Sequence, residues 1–268
     1  MNPVIESYSK LASIYDDPQN LDSCWGAVAR GALGRINISD KHSLVVDVGC
    51  GVGREIAELA SRHSTNVRFV GVEPAEKMRE IAIARNMDRV NVNILEGRFE
   101  NLPLETGSVD YLYSILAFHW TTNLKQSASE LARVLKATGE MDLCFIGRNN
   151  GREFIQKTTP VFFKYMSPAM IIEAASLRKQ LRLEEASELF ENAFGDRSIQ
   201  VTESYQTYYD TLEGHWAWWV RIEGQLVNLP ASARDECNEA LKGAISTLAQ
   251  DGQIPYTVHL LHVSVRSR

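Results

Sequence analysis

The sequence predicts an α/β fold built on a doubly wound, mostly parallel seven-stranded sheet with an inserted helical lid. Three observations carry this. Between residues 44 and 147, short apolar runs alternate with stretches of helical period, the pattern of repeated strand–helix units. The first run, "VVDVGCGVG" (45–53), breaks into glycines at alternate positions, as a strand does before a ligand-binding turn. The remainder is mostly helical, yet contains two further stretches that read as strands.

Each element follows in order. Residues 1–36 read as helical, with an apolar stripe in "CWGAVARGAL". "LVVDV" (44–48) stops at Gly49, as a buried parallel strand does. "REIAELASR" follows at helical period. "VRFVGVE" (67–73) is the second strand, and "AEKMREIAIARN" (75–86) is the next helix, with Pro74 near its start. "VNVNILEG" (90–97) and "VDYLYSILAF" (109–118) are strands three and four. "LKQSASELARVLKA" (124–137) is helical and "GEMDLCFIG" (139–147) is strand five. Residues 152–194 are mostly helical, and "SIQVTESYQTYY" (198–209) alternates as a strand. "LEGHWAWWVRIEGQLV" and "SARDECNEALKGAISTLAQ" are a helical pair before the closing strand, "IPYTVHLLHVSVR" (254–266). One domain over residues 1–268 is expected, with lid elements at 1–30, 151–195 and 212–250. Lids cover reaction sites in many enzymes. The alternative is that these helices only cover sheet hydrophobics.

Composition narrows the function. The chain carries 28 basic and 34 acidic residues, a formal charge of -6, against the basic face of a general nucleic-acid binder. Cys24, Cys50, Cys144 and Cys237 have neither metal-ligand spacing nor a disulfide framework. No metal is expected, and a reducing cytoplasm fits. The N-terminus lacks the apolar core of a signal peptide, and no run has the length of a membrane span. The expected partner is a small molecule, with no nucleic acid and no membrane; monomer and homodimer stay open.

A doubly wound sheet places its ligand at the carboxyl ends of the strands. Gly49, Gly51 and Gly53 have the spacing G-x-G-x-G, and Arg54 stands where a dinucleotide fingerprint needs its third glycine. No P-loop Gly-Lys-Ser or Gly-Lys-Thr follows. Asp47, inside the strand end, would repel phosphate but suits a ligand amino group. Glu73 ends the second strand, where a carboxylate accepts from both ribose hydroxyls. A nucleoside with no phosphates and an amino group matches, and S-adenosylmethionine is such a ligand.

Together "VVDVGCGVG", "FVGVEPAEKM", "GRFENLPLETGSVDYLYSILAFHW" and "ELARVLKATGEM" resemble the successive motifs of class I S-adenosylmethionine-dependent methyltransferases, over roughly residues 40–147. The flanks are similar to the small-molecule branch that includes trans-aconitate and malonyl-carrier methyltransferases. The resemblance implies a Rossmann-like methyltransferase fold and S-adenosylmethionine as cofactor, leaving S-adenosylhomocysteine as product. It implies that Asp47 and the loop of Gly49, Cys50, Gly51 and Gly53 hold the methionine portion. Glu73 would hold the ribose, with Pro74 and Met78 flanking the adenine and Gly97, Arg98 and Phe99 at its edge. Relatives often have an acid where Arg98 stands, so either a backbone carbonyl or Glu100 replaces it, or the adenine is held more loosely. Residues 114–118, beginning with Ser114, would pass beneath the methyl donor, and Tyr8 and Tyr15 would cover it.

His119 and Trp120 follow strand four, where family substrates meet the methyl group. A hydroxyl or amine acceptor needs a base, and a histidine can serve; the alternative is a histidine that only shapes the pocket. Trp216 and Trp219 share a helical face, with Arg221 nearby. They read either as a substrate wall with a carboxylate grip or as lid core. His259 and His262 lie three apart on a strand and point to opposite faces, against a shared metal. Tyr205, Tyr208 and Tyr209 decorate a strand and its end. The expected function is methyl transfer to a small organic molecule at oxygen. Alternatives are carboxyl methyl-ester formation, N- or C-methylation, and a non-methylating cofactor-binding partner or cyclase.

Overall fold

The computed structural model describes residues 2–39, 41–221, 229 and 231–267. Helix α1 (Pro3–Tyr15) starts where the Asn2 side chain accepts the Val4 amide at 2.9 Å, with proline in its first turn. The helical stretch read over residues 1–36 breaks after Asp16. Pro18 opens a short 3₁₀ turn, Pro18–Leu21, because proline has no amide to continue a helix and drives its predecessor out of helical geometry. Ser23 then caps α2 (Cys24–Leu33).

The central elements follow as β1 (Leu44–Val48), α3 (Arg54–Ser61), β2 (Arg68–Val72), α4 (Glu76–Asn86), β3 (Val92–Leu95), β4 (Val109–Ile115), α5 (Leu124–Val134) and β5 (Leu135–Ile146). Strands two to four end earlier than their apolar runs, since residues 73, 96–97 and 116–118 leave the sheet to form loops. β5 begins earlier than its run: Leu135 pairs with Val109, and a register shift before Tyr111 absorbs the extra residues. Then come α6 (Arg152–Tyr165), α7 (Pro168–Ser176), α8 (Leu183–Phe194), β6 (Ser198–Asp210), α9 (Leu212–Arg221), α10 (Arg234–Ser246) and β7 (Ile254–Arg266).

The seven strands lie in the order β3-β2-β1-β4-β5-β7-β6. β1 pairs in parallel with β2 and β4, whereas β7 runs antiparallel to β5 and β6. The chain leaves β1 toward β2 on one side and returns beside it as β4. That switch point opens a crevice at the carboxyl ends of β1 and β4. All five β1 residues are buried, and their side chains alternate between two cores. Val46 and Val48 join Leu112, Phe118, Phe145 and Phe190. Val45 joins Ile56, Leu59, Phe69, Tyr111 and Tyr113. A separate apolar cluster, around Val161, Met166, Leu229, Cys237 and Leu241, draws on α6, α9 and α10 without the sheet. Among the described residues no helix is long and apolar enough to cross a membrane.

Candidate active site

The crevice holds a cavity between the glycine turn after β1, the ends of β2 and β4, and α1 above. Gly49, Gly51 and Gly53 all adopt left-handed backbone, at φ 77°, 54° and 72°. Their surroundings differ. A Cβ on Gly49 would lie 2.4 Å from the Ala117 Cβ, and one on Gly53 would lie 2.9 Å from the Ala82 Cβ and Asn86 Nδ2. A Cβ on Gly51 would meet nothing within 4 Å. Gly49 therefore lets the β4 loop cross, Gly53 lets α3 approach α4, and Gly51 presents its backbone to open space. The Val72 carbonyl accepts the Gly49 and Cys50 amides at 2.8 and 3.2 Å, tying the turn to β2.

Glu73 lies at the cavity wall. Its Oε2 accepts the Gly51 amide at 2.9 Å and its Oε1 accepts the Ala75 amide at 2.8 Å. Burial pushes its carboxyl up to about 7, against those two amides and Arg79. Burial also raises Asp47 well above the carboxylate range, helped by Glu55 and Glu73 and opposed by the Tyr113 hydroxyl. Burial raises Glu55 and the Tyr15 phenol too. A buried acid cluster whose charge is this costly favours a cationic ligand, which would restore the ionised forms. The opening over Gly51 and this electrostatic demand both fit a nucleoside that carries a sulfonium and an ammonium.

The roof is α1, through Val4, Ile5, Tyr8 and Tyr15. Tyr8 meets Tyr15 and Trp120 edge-on, at 5.9 and 5.7 Å between centroids. Asp16, just past α1, holds the roof down. Arg54 donates to its Oδ1 at 2.9 Å and to its carbonyl, and Arg85 reaches both its carboxylate oxygens at 2.6 and 2.8 Å.

Pro74, Ala75, Met78 and Phe99 form an apolar side of the cavity. Beside them, Glu100 Oε1 accepts the Thr121 and Thr122 hydroxyls, each at 2.7 Å, and the Thr122 and Asn123 amides. Burial raises this carboxyl, but those hydrogen bonds outweigh it and hold it below the ordinary value. Arg98 is exposed, with its Nε 3.9 Å from Glu100 Oε2.

Ile115, Leu116 and Ala117 bring β4 to the cavity, with Leu116 in left-handed backbone at φ 57°. The turn Phe118–Trp120 follows. His119 is 1% exposed, and its Nδ1 has no hydrogen-bond partner among the described residues. Burial, and then Arg178, push its pKa well down, so the imidazole is neutral. Trp120 lines this cavity and also a second one bounded by α6 and α7.

Of the residues expected at the site, Tyr8, Tyr15, Gly49, Gly51, Glu73, Pro74, Met78, Arg98, Phe99 and Trp120 line the cavity. Asp47, Cys50, Gly53, Gly97, Ser114 and His119 are absent from its lining. Gly97 serves packing, since a Cβ there would lie 2.6 Å from Pro103 Cδ. Trp216 joins the helical cluster with Lys242 over its ring at 5.3 Å, whereas Trp219 lines the second cavity. The Arg221 side chain lies outside the described residues. His259 Nε2 pairs with Glu203 at 3.0 Å and His262 Nε2 with Ser204 at 3.1 Å, so each has its own partner. Tyr205 stacks on His259 at 4.4 Å. The Asp16 clamp, left-handed Leu116 and the residues of the second cavity other than Trp120 and Trp219 had no motif to announce them.

Known proteins resemble this chain in sequence and in fold. The family described as "Methyltransferase domain" matches residues 46–141. The chain is 30% identical over 144 residues to the biotin biosynthesis bifunctional protein BioHC of Cellvibrio japonicus, covering 54% of this chain and 27% of that protein. It is 24% identical over 195 residues to the demethylmenaquinone methyltransferase of Lactococcus lactis, covering 72% of this chain and 75% of that one. The crystal structure of YcgJ from Bacillus subtilis superposes with a TM-score of 0.62 at 19% identity, covering 89% of this chain and 99% of that one. The chain spans between 26% and 48% of the length of the first curated relatives it matches. In its ordered motifs, its strand order and the domain matched over residues 46–141, the chain is similar to the class I S-adenosylmethionine-dependent methyltransferases.

Proposed function

We propose that this chain transfers a methyl group from S-adenosylmethionine to a small organic molecule, at oxygen. The observation that carries the reading is the shared cavity of Gly51, Glu73 and Trp120. It joins a ribose-binding carboxylate to an open backbone and to the end of β4. Glu73 accepts from the ribose hydroxyls. Asp47, beneath the turn, balances the amino-acid end by charge, with Gly51 giving that end its clearance. Pro74, Met78 and Phe99 enclose the adenine, and Glu100 Oε2 takes the adenine amino group in place of the acid that Arg98 displaces. Tyr8 and Tyr15 shut the site from water.

The cofactor supplies an electrophilic methyl on sulfur. The chain's own residues hold the acceptor in line with it, which accounts for much of the rate in such a displacement. With the cofactor bound, His119, neutral and buried just behind the lining residue Trp120, would take the proton of a hydroxyl acceptor once its ring reaches the cavity, which it does not line here. One observation favours a second reading: a histidine this depressed is a weak base, and a carboxylate acceptor needs none. Carboxyl methyl-ester formation is therefore the alternative. The whole chain is one domain in this reading, with α1 and the helices α6, α7, α9 and α10 as lid; of the lid ranges expected at 1–30 and 151–195, α2 and α8 instead pack on the sheet, through Val28 and Ala32 and through Ala186 and Phe190.

Incubation with S-adenosylmethionine and fractionated metabolites, read by S-adenosylhomocysteine release, tests the proposal. Cofactor binding with no release from any fraction would instead indicate a non-methylating scaffold.

A further inference from the structure

Trp120 is the shared wall of two cavities. The second is walled by rings, among them Phe154 and Phe162 of α6, Trp219 of α9 and Tyr256 of β7. Asn150, 3% exposed, joins this wall from the loop between β5 and α6. Its carboxamide is held by β7. The His259 amide donates to Asn150 Oδ1 at 3.2 Å, and Asn150 Nδ2 donates to the Tyr256 hydroxyl at 2.9 Å. A backbone amide only donates, so the atom facing it is the oxygen and the orientation of the carboxamide is settled. The loop is tied to the same strand. The Gly147 and Gly151 amides donate to the His259 and Thr257 carbonyls at 2.9 and 2.8 Å, and the Asn149 amide donates to His259 Nδ1 at 3.0 Å.

An asparagine carboxamide has two N–H donors. One is spent on Tyr256, and the second has no hydrogen-bond acceptor among the described residues. Thr158 and Thr159, on the same wall, spend their hydroxyl protons on the Phe154 and Ile155 carbonyls at 2.7 and 2.6 Å. Asn150 thus keeps a rigidly oriented, buried donor beside apolar rings.

We propose that this ring-walled cavity takes the methyl acceptor, and that Asn150 sets its specificity by donating its second N–H to an oxygen of a flat apolar molecule. The proposal rests on the methyl-transfer reading above and adds the acceptor's chemical class. Aromatic walls bind an apolar body and exclude water, and a few placed polar groups then decide orientation. A buried donor rejects an isostere that has no oxygen for it, because the donor stays unpaired in a dry site. Asn150 is absent from the cofactor cavity, which Trp120 lines. The oxygen on Asn150 is therefore a recognition group, and the methylated atom lies at the Trp120 end.

The test uses the full chain saturated with S-adenosylhomocysteine and two isosteric probes, acetophenone and α-methylstyrene, which differ only in a carbonyl oxygen against a methylene. Equilibrium dialysis should show acetophenone binding at least about fivefold tighter, although it is the less hydrophobic of the two. Asn150→Asp keeps the oxygen that the His259 amide holds and replaces the NH2 by oxygen, so it should abolish the preference, whereas Arg178→Met should keep it. Nuclear magnetic resonance of isotope-labelled wild type reads the contact without a variant. The Asn150 side-chain amide should shift downfield with acetophenone and stay in place with α-methylstyrene. Equal affinities, binding of neither probe, an unmoved Asn150 amide, an undiminished preference in Asn150→Asp or its loss in Arg178→Met would overturn the proposal. A prior titration with S-adenosylhomocysteine separates the two levels. Normal cofactor binding without carbonyl preference removes only the role of Asn150, whereas absent cofactor binding removes the underlying reading and this one with it.

Discussion

Glu73 accepts the Gly51 amide at 2.9 Å while burial holds its carboxyl up at about 7. The residue that grips the glycine turn is thus half protonated near neutrality, and the turn's ligand must compete for it. Protonation turns one carboxyl oxygen into a donor and removes the charge, so the group accepts more weakly from the two ribose hydroxyls. S-adenosylhomocysteine affinity is therefore expected to rise with pH through about 7. Calorimetry between pH 5.5 and 8.5 checks this, and Glu73→Gln should bind at least about tenfold more weakly with a flat profile.

The same residue costs stability. Its folded value of about 7 exceeds the ordinary 4.5, so the folded state holds the extra proton. The stability linked to Glu73 is then fully present below 4.5 and lost as pH rises through 7, on the order of 3 kcal/mol in all. At pH 8, Glu73→Gln should be more stable than wild type by roughly 1–2 kcal/mol, after subtracting the amide bond that glutamine's NH2 cannot accept. Urea unfolding at pH 8 and pH 5 measures it; a gain at pH 5 equal to that at pH 8 would refute the linkage.

Glu100 has the opposite sign. Its hydrogen bonds to the Thr121 and Thr122 hydroxyls and the Thr122 amide hold it below 4.5, so its contribution is present above that value and lost as pH falls through the folded value. Glu100→Ala should cost about 2–3 kcal/mol at pH 7, because buried donors lose a charged acceptor. The deficit should shrink in melts run below pH 4, and hydrogen exchange at residues 121–123 should rise.

Asp16 ties α1 to both α3 and α4 through Arg54 and Arg85. Asp16→Ala should speed exchange across residues 3–15 without changing β1 or β4, and should raise S-adenosylhomocysteine dissociation about tenfold. Loss of charge-assisted bonds of this kind is worth roughly 1.5–3 kcal/mol. Stopped-flow release read beside exchange decides whether α1 acts as a roof.

His119→Ala should lower kcat by at least about a hundredfold if the imidazole takes the acceptor proton, with unchanged cofactor affinity. Because burial keeps the histidine neutral, the wild-type rate should be flat from pH 6.5 to 8. A carboxylate acceptor would leave kcat almost unaltered in His119→Ala, which separates ester formation from hydroxyl methylation.

Local signals determined the sheet, the glycine turn and the carboxylate after strand two. Apolar run length, glycine spacing and the residue at a strand end are all read within a few positions, and β1 with its turn was legible for that reason. Element ends were less so: the break at Pro18 and the early start of β5 depend on capping and on pairing with Val109. Only the tertiary structure decided that Gly51 alone of the three glycines faces open space, because Ala117 and Ala82 arrive from distant parts of the chain. Burial likewise removed His119 from the cavity lining, and chain folding laid Arg178 over Trp120. The sheet makes its ligand turn from consecutive residues, but the second cavity gathers its lining from helices far apart in sequence. The cofactor turn was therefore readable in order along the chain, whereas of the second cavity's lining only Trp120 and Trp219 were singled out.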